Sequence, residues 1–173
     1  EPFVFRSLNL RQQSADGQPA WEILSPEASY DITSKVAQAR NLRGTVFRAG
    51  QPHILVNARN AKVVDDGQRV ELQHGVVITL FGVNPVQISG DRAVWLPRQN
   101  VMLIDQRPVA TDRRSRIRAR TARYLLADDR VELRGGTVLE QWQQPPLGKG
   151  PRPPAPLRVS TTGIDWKPEQ GRL

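Results

Sequence analysis

The chain contains no cysteine, so disulfides, thiolate metal sites and thiol nucleophiles are excluded. Histidine is almost as scarce. His53 and His74 are the only two, and neither has a second ligand residue at metal-binding spacing. No stretch approaches the roughly 18 consecutive apolar residues of a membrane-spanning helix. The G-x-S-x-G elbow, the Walker A loop and the G-x-G-x-x-G fingerprint are all missing, and Gly148–Lys149–Gly150 lacks the rest of a phosphate loop. No nucleophile, base and orienting residue stand in a recognisable constellation. The expectation is a protein that is not an enzyme and carries no cofactor or metal.

What the chain has is charge and alternation. Its 173 residues suffice for one domain with a real core, and the expectation is a single domain over 1–173. The formal net charge of +8 and a pI near 10.9 favour anionic partners, without choosing among nucleic acid, an acidic membrane surface and a phosphorylated glycolipid. The apolar residues fall in short period-two runs, the pattern of strands with one dry and one wet face. In Ile117–Val138, Ile117, Ala119 and Thr121 alternate with Arg116, Arg118 and Arg120; a turn follows at Asp128–Asp129, and then Val131 and Leu133 alternate with Glu132 and Arg134. Two such runs around an Asp-Asp turn read as a β-hairpin.

The unit recurs. A small or apolar residue followed two positions later by a larger one occurs at Ala28/Tyr30, Ala61/Val63, Ala93/Trp95, Ala122/Tyr124 and Ile164/Trp166, with separations of 33, 32, 29 and 42 residues. Repetition at this spacing points to wound or stacked strand-turn-strand units, with no helical periodicity between them. The longest gap contains the six prolines of 141–156, which predict a loop because proline cannot donate to a sheet ladder. Asp65–Asp66 and Asp128–Asp129 take turn positions rather than acid/base roles. Gly44, Gly75, Gly135 and Gly163 recur near strand breaks and predict bulges or bends that curl the sheet.

The grammar Ala-x-Tyr/Trp/Val, polar turn, Val-x-Leu, x-Gly-x-Val resembles the repeat of the periplasmic lipopolysaccharide-export proteins of the LptC/LptA (OstA-like) family. It is carried best by Ala28–Val36, Asn57–Ile78 and Arg120–Val138. The end, Val159–Leu173, and the opening strands around Leu8–Gln13 and Pro19–Leu24 are most similar to the membrane-anchored member, LptC. The Pro-rich insertion departs from that pattern, as does Asp105–Gln106–Arg107, which stands where other copies have glycine and leaves the strand register open there.

The resemblance implies an all-β, twisted, partly open antiparallel jellyroll in the periplasm, held at the inner membrane by an N-terminal helix upstream of Glu1. It implies lipopolysaccharide received from an inner-membrane ABC transporter and passed, through edge-strand pairing, to an LptA-like bridge protein, with homo-oligomers also open. Alternation assigns Leu8, Leu10, Trp21, Ile23, Tyr30, Ile54, Val56, Val63, Trp95, Leu103 and Tyr124 to the interior. They are either ordinary core or the lining of a lipid groove. Arg116, Arg118 and Arg120 on one strand face are candidates for anionic head groups, against a simply solvated face. Three other readings remain open: a soluble LptA-like bridge, a structural β-repeat with no ligand, and a basic nucleic-acid-binding β module. The last needs aromatics interleaved with arginine on an exposed face, and the run offers only Tyr124.

Overall fold

A computed structural model describes residues 3–5, 7–143 and 155–168. Residues 144–154 of the Pro-rich stretch and the end of the chain beyond residue 168 lie outside these. Gln141, placed in that loop by its sequence, closes a strand instead.

Among the described residues, fourteen strands form a single antiparallel sheet. They are β1 (Phe3–Phe5), β2 (Leu8–Gln13), β3 (Pro19–Ser25), β4 (Glu27–Asp31), β5 (Val36–Arg48), β6 (Gln51–Val64), β7 (Arg69–Leu80), β8 (Val86–Leu96), β9 (Val101–Ile104), β10 (Val109–Thr111), β11 (Ser115–Arg118), β12 (Thr121–Leu125), β13 (Arg130–Gln141) and β14 (Leu157–Trp166).

The long strands each serve two layers. The front of β5 pairs with β4 and its back with β3. The back of β8 pairs with β9 and its front with β10. The front of β13 pairs with β12 and its back with β11. One layer is therefore β1, β4, half of β5 to β8, β9, β12, and half of β13 and β14. The other is β2, β3, the remaining halves of β5 to β8, β10, β11, and the remainder of β13 and β14. Neither layer closes on itself, as expected of a partly open jellyroll.

The bend between layers is a row of backbone irregularities. The β6–β7 register shifts between Asn57 and Asn60, β7–β8 between Gln73 and Val76, and β13–β14 between Arg134 and Thr137. Left-handed residues mark the same level: Asn41, the pair His74–Gly75, and the pair Gly135–Gly136. Each bulge inserts residues that swing the strand through the bend. In β6 the buried positions change from Ile54, Val56 and Ala58 to Ala61 and Val63, the change of face that the sequence pattern anticipates. Gly75 and Gly135 are bend residues, as expected. Gly44 is not: a Cβ there would lie 2.5 Å from Cζ3 of Trp95, so this glycine makes room for an indole from the opposite layer.

All five repeat pairs fall on the inner face of the first layer, in two cross-strand rows. One row runs Ala28, Ala39, Ala61, Leu72, Ala93, Ile104, Ala122, Leu133, Ile164. The next contains Tyr30, Ala37, Val63, Val70, Trp95, Met102, Tyr124, Val131 and Trp166. The repeat is thus the core stripe of every second strand.

Candidate lipid-binding interior and open edges

Ten of the eleven expected interior residues face the space between the layers. Trp21, Ile23, Ile54, Val56, Val63, Trp95 and Tyr124 are buried in one continuous core, and Leu8, Leu10 and Tyr30 pack against it from partly exposed positions. Trp21 and Trp95 meet edge to face across the layers, centroids 6.4 Å apart. Leu103 does not point inward. It pairs with Val94 and Arg123 on the outer face, while its neighbours Met102 and Ile104 are buried. The segment Val101–Ile104 is apolar throughout, so period two could not choose its face. The departure at Asp105–Gln106–Arg107 fell where the register was least determined.

The apolar interior reaches the surface at both open sides. At the N-terminal side lie Leu8 and Leu10 of β2 and Tyr30 of β4. At the C-terminal side the inward row continues through Leu139 to Val159, and through Gln141 to Leu157. Among the described residues no strand lies beyond β14, so Leu157 is 64% exposed and Val159 41%. Alternation in β14 had not singled out these two, because exposure at a sheet edge is invisible to a strand's own sequence. The same edge leaves a side of β14 unpaired along its length, and unpaired ladder groups accept an incoming strand.

The arginines divide by environment. Arg116 and Arg118 lie on the outer face of the second layer, alternating with buried Ser115, Ile117 and Ala119. The segment expected as one extended run, however, changes layers after Ala119. Arg120 sits in the bend, where its backbone N–H donates to the carbonyls of Arg134 and Gly135. The parity shifts there, so Thr121 is exposed and Ala122 buried. Arg116 is held by Glu140 through Nη2–Oε1 at 3.1 Å and Nε–Oε1 at 3.3 Å, and its guanidinium lies 5.5 Å from the Trp142 ring centroid. Glu140, 5% exposed, also accepts from Arg158 of β14 at 3.4 Å. Burial alone would raise the Glu140 carboxyl, but hydrogen bonds and charge from Arg116 and then Arg158 outweigh it and hold it below its ordinary value. Among the described residues Arg118 and Arg120 have no side-chain ion pair.

The outer faces of the layers differ at their central strands, although Arg11–Glu22 and Arg116–Glu140–Arg158 put ion pairs on the second layer's flanks as well. The first layer's carries ion pairs: Arg40–Glu27, Arg69–Glu71, Arg92–Asp105, Arg123–Glu132 and Arg134–Asp165. The central strands of the second layer present Leu55, Val77, Thr79 and Val109, all half-buried. Among the described residues no group of three or more His, Asp or Glu is placed to hold a metal, and no helix is long and apolar enough to cross a membrane.

The far ends of the layers border an open pocket of about 620 Å³, lined by Trp21, Val46, Leu126 and the polar Gln12, Asp16 and Asn100 among others. Beside it is a buried polar group the sequence did not reveal. Tyr124 donates to Oδ1 of Asp129 at 2.6 Å, and Nε2 of His53 lies 3.6 Å from the same oxygen. His53 and Asp129 are 76 positions apart and no local pattern links them.

The sequence profile described as "Lipopolysaccharide-assembly, LptC-related" matches residues 2–140. The chain belongs to this LptC-related family of lipopolysaccharide-assembly proteins. A similar solved structure is LptH from Pseudomonas aeruginosa, described as the LptA-homologous periplasmic component of the lipopolysaccharide transport device. The two share 14% identity, with 82% of this chain and 94% of that one covered and a TM-score of 0.55. At that identity the likeness shows a shared jellyroll-like fold. Comparison with curated protein sequences gives no match. Membership of an LptC-related family places the chain in lipopolysaccharide assembly and transport, a non-enzymatic kind of role.

Proposed function

We propose that this chain is a single-domain lipid-transfer component, anchored to the inner membrane by a helix upstream of Glu1. It receives lipopolysaccharide from the ABC transporter and passes it to an LptA-like bridge protein. The acyl chains lie between the layers and the sugar-phosphate part remains outside. The observation that carries this reading is an apolar interior continuous from Leu8, Leu10 and Tyr30 at one open side to Leu139 at the other, where the exposed Val159 of β14 pairs with it. Burial contributes about 0.8 kcal/mol per CH₂, so a few methylenes hold a lipid and no catalytic group is needed. Arg118 and Arg120, with Arg116 beside them, supply cations for head-group phosphates. Partner strands add to β14 and to the N-terminal edge.

The family match favours an LptC-type component over a soluble bridge. The nucleic-acid reading is disfavoured because Tyr124, the aromatic within the arginine run, is buried.

The test is photo-crosslinking from inward positions at the open sides, Tyr30 and Val159, in cells making lipopolysaccharide. Adducts are expected from both. If no inward position gives a lipid adduct, transfer through the interior is wrong.

A further inference from the structure

The bend row joins the two layers covalently, through β5 to β8 and β13. At the opposite end, side chains hold them together, and the described polar contacts converge on two segments. From the second layer comes the β5–β6 hairpin with Arg48 and His53; from the first comes the β12–β13 turn, residues 126–129. Arg48 Nη2 donates to the Leu126 carbonyl at 3.1 Å. That carbonyl also accepts the Asp129 N–H at 3.2 Å, and Leu126 N–H donates to Asn100 at 3.0 Å, so the turn is a defined platform. Asp129 has φ 45°, a left-handed conformation that aims its carboxylate at Tyr124 and His53. His53 is fixed in turn by the bond from Phe81 N–H to its carbonyl, 2.9 Å.

We propose that these two segments form an interlayer latch controlling entry of hydrocarbon chains into the core. The inference rests on the lipid-transfer reading. The site suits a latch for two reasons. Its described interlayer polar contacts are the Arg48–Leu126 hydrogen bond and the approach of His53 Nε2 to Tyr124 Oη at 3.5 Å and to Asp129 Oδ1 at 3.6 Å, which water replaces when the layers part, whereas an apolar contact has no such substitute. The closed state also leaves Oδ2 of Asp129 buried without a hydrogen-bond partner, a cost relieved on opening. Leu126 belongs both to the latch and to the wall of the 620 Å³ pocket, which leads directly to Trp21 of the core. Opening about the bend row widens that pocket into a portal for an alkyl chain.

The test uses the domain with Arg48→Met, Tyr124→Phe and both together. Arg48→Met removes an exposed donor, and Tyr124→Phe keeps the ring that packs the core. Amide hydrogen exchange is followed in residues 46–54 and 124–131, with residues 72–78 at the bend as reference. Loading is followed with dispersed lipopolysaccharide carrying a photoactivatable acyl chain. Each variant is expected to exchange about three- to tenfold faster at both latch segments, with the reference unchanged, and to load lipid faster in the same order. Unchanged latch exchange, or faster exchange everywhere, overturns the latch. Faster latch exchange with unaltered loading, in a protein that does load, overturns its control of entry and leaves the transfer reading standing. A wild-type domain that takes up no lipid overturns the transfer reading and the control of entry together.

Discussion

Single residues decide how the layers meet. The Trp95 ring occupies the space over Gly44, where a Cβ would come within 2.5 Å of it. Gly44→Val is therefore expected to destabilise the domain by about 1–3 kcal/mol through overpacking, read as a lower urea midpoint. Leu103 and Ile104 offer a paired test of the corrected strand face. Ile104→Asn should cost several-fold more stability than Leu103→Asn, because only the former buries an amide among apolar side chains. Equal losses would return Leu103 to the interior. Glu140 gives a pH dependence. Its carboxyl is held below the ordinary value, so its stabilising contribution is complete above the unfolded value near 4.5 and is lost as pH falls through the lower folded one. Protection of the β14 amides, taken relative to their intrinsic exchange rates, should fall in that acid range in the wild type, and Glu140→Gln should remove that pH dependence.

At the scale of elements, the bend row turns one sheet into two facing layers. Gly135, with φ 82°, lies where a Cβ would meet Cβ of Arg120 at 2.8 Å. Gly135→Ala combines left-handed strain with that contact and is expected to cost at least about 1 kcal/mol, measured by thermal denaturation. Strand β14 makes the opposite case, since among the described residues its outer edge holds no neighbour. Ser160→Pro is expected to weaken joining to a bridge partner severalfold while the rest of the sheet stays folded, as judged by pull-down and circular dichroism. Global unfolding instead would show that β14 is integral to the core.

For the whole molecule, the charge distribution and the continuous interior suggest how a lipid with an anionic head could be carried without chemistry. A net charge of +8 raises the local concentration of anionic ligand, and that contribution is screened within about 8 Å at physiological ionic strength. Lipopolysaccharide capture should therefore slow as salt increases. Acyl-chain retention, set by apolar burial, should change little. Association and dissociation rates measured at several salt concentrations separate the two.

The sequence alone determined that this is an all-β chain wound from repeated strand-turn-strand units. Alternation is a local property, and Ala28/Tyr30, Ala61/Val63, Ala93/Trp95, Ala122/Tyr124 and Ile164/Trp166 each register the same inner face. Of the eleven residues it assigned to the interior, ten face inward, and the exception lies where Val101–Ile104 is apolar on both sides. Tertiary structure decided the rest. The layer switch after Ala119, the exposure of Leu157 and Val159 at an edge, the service of Gly44 to Trp95 and the meeting of His53 with Asp129 all depend on contacts between segments far apart in the chain. Such contacts are set by bulges and packing, and leave no periodic mark on the residues that make them.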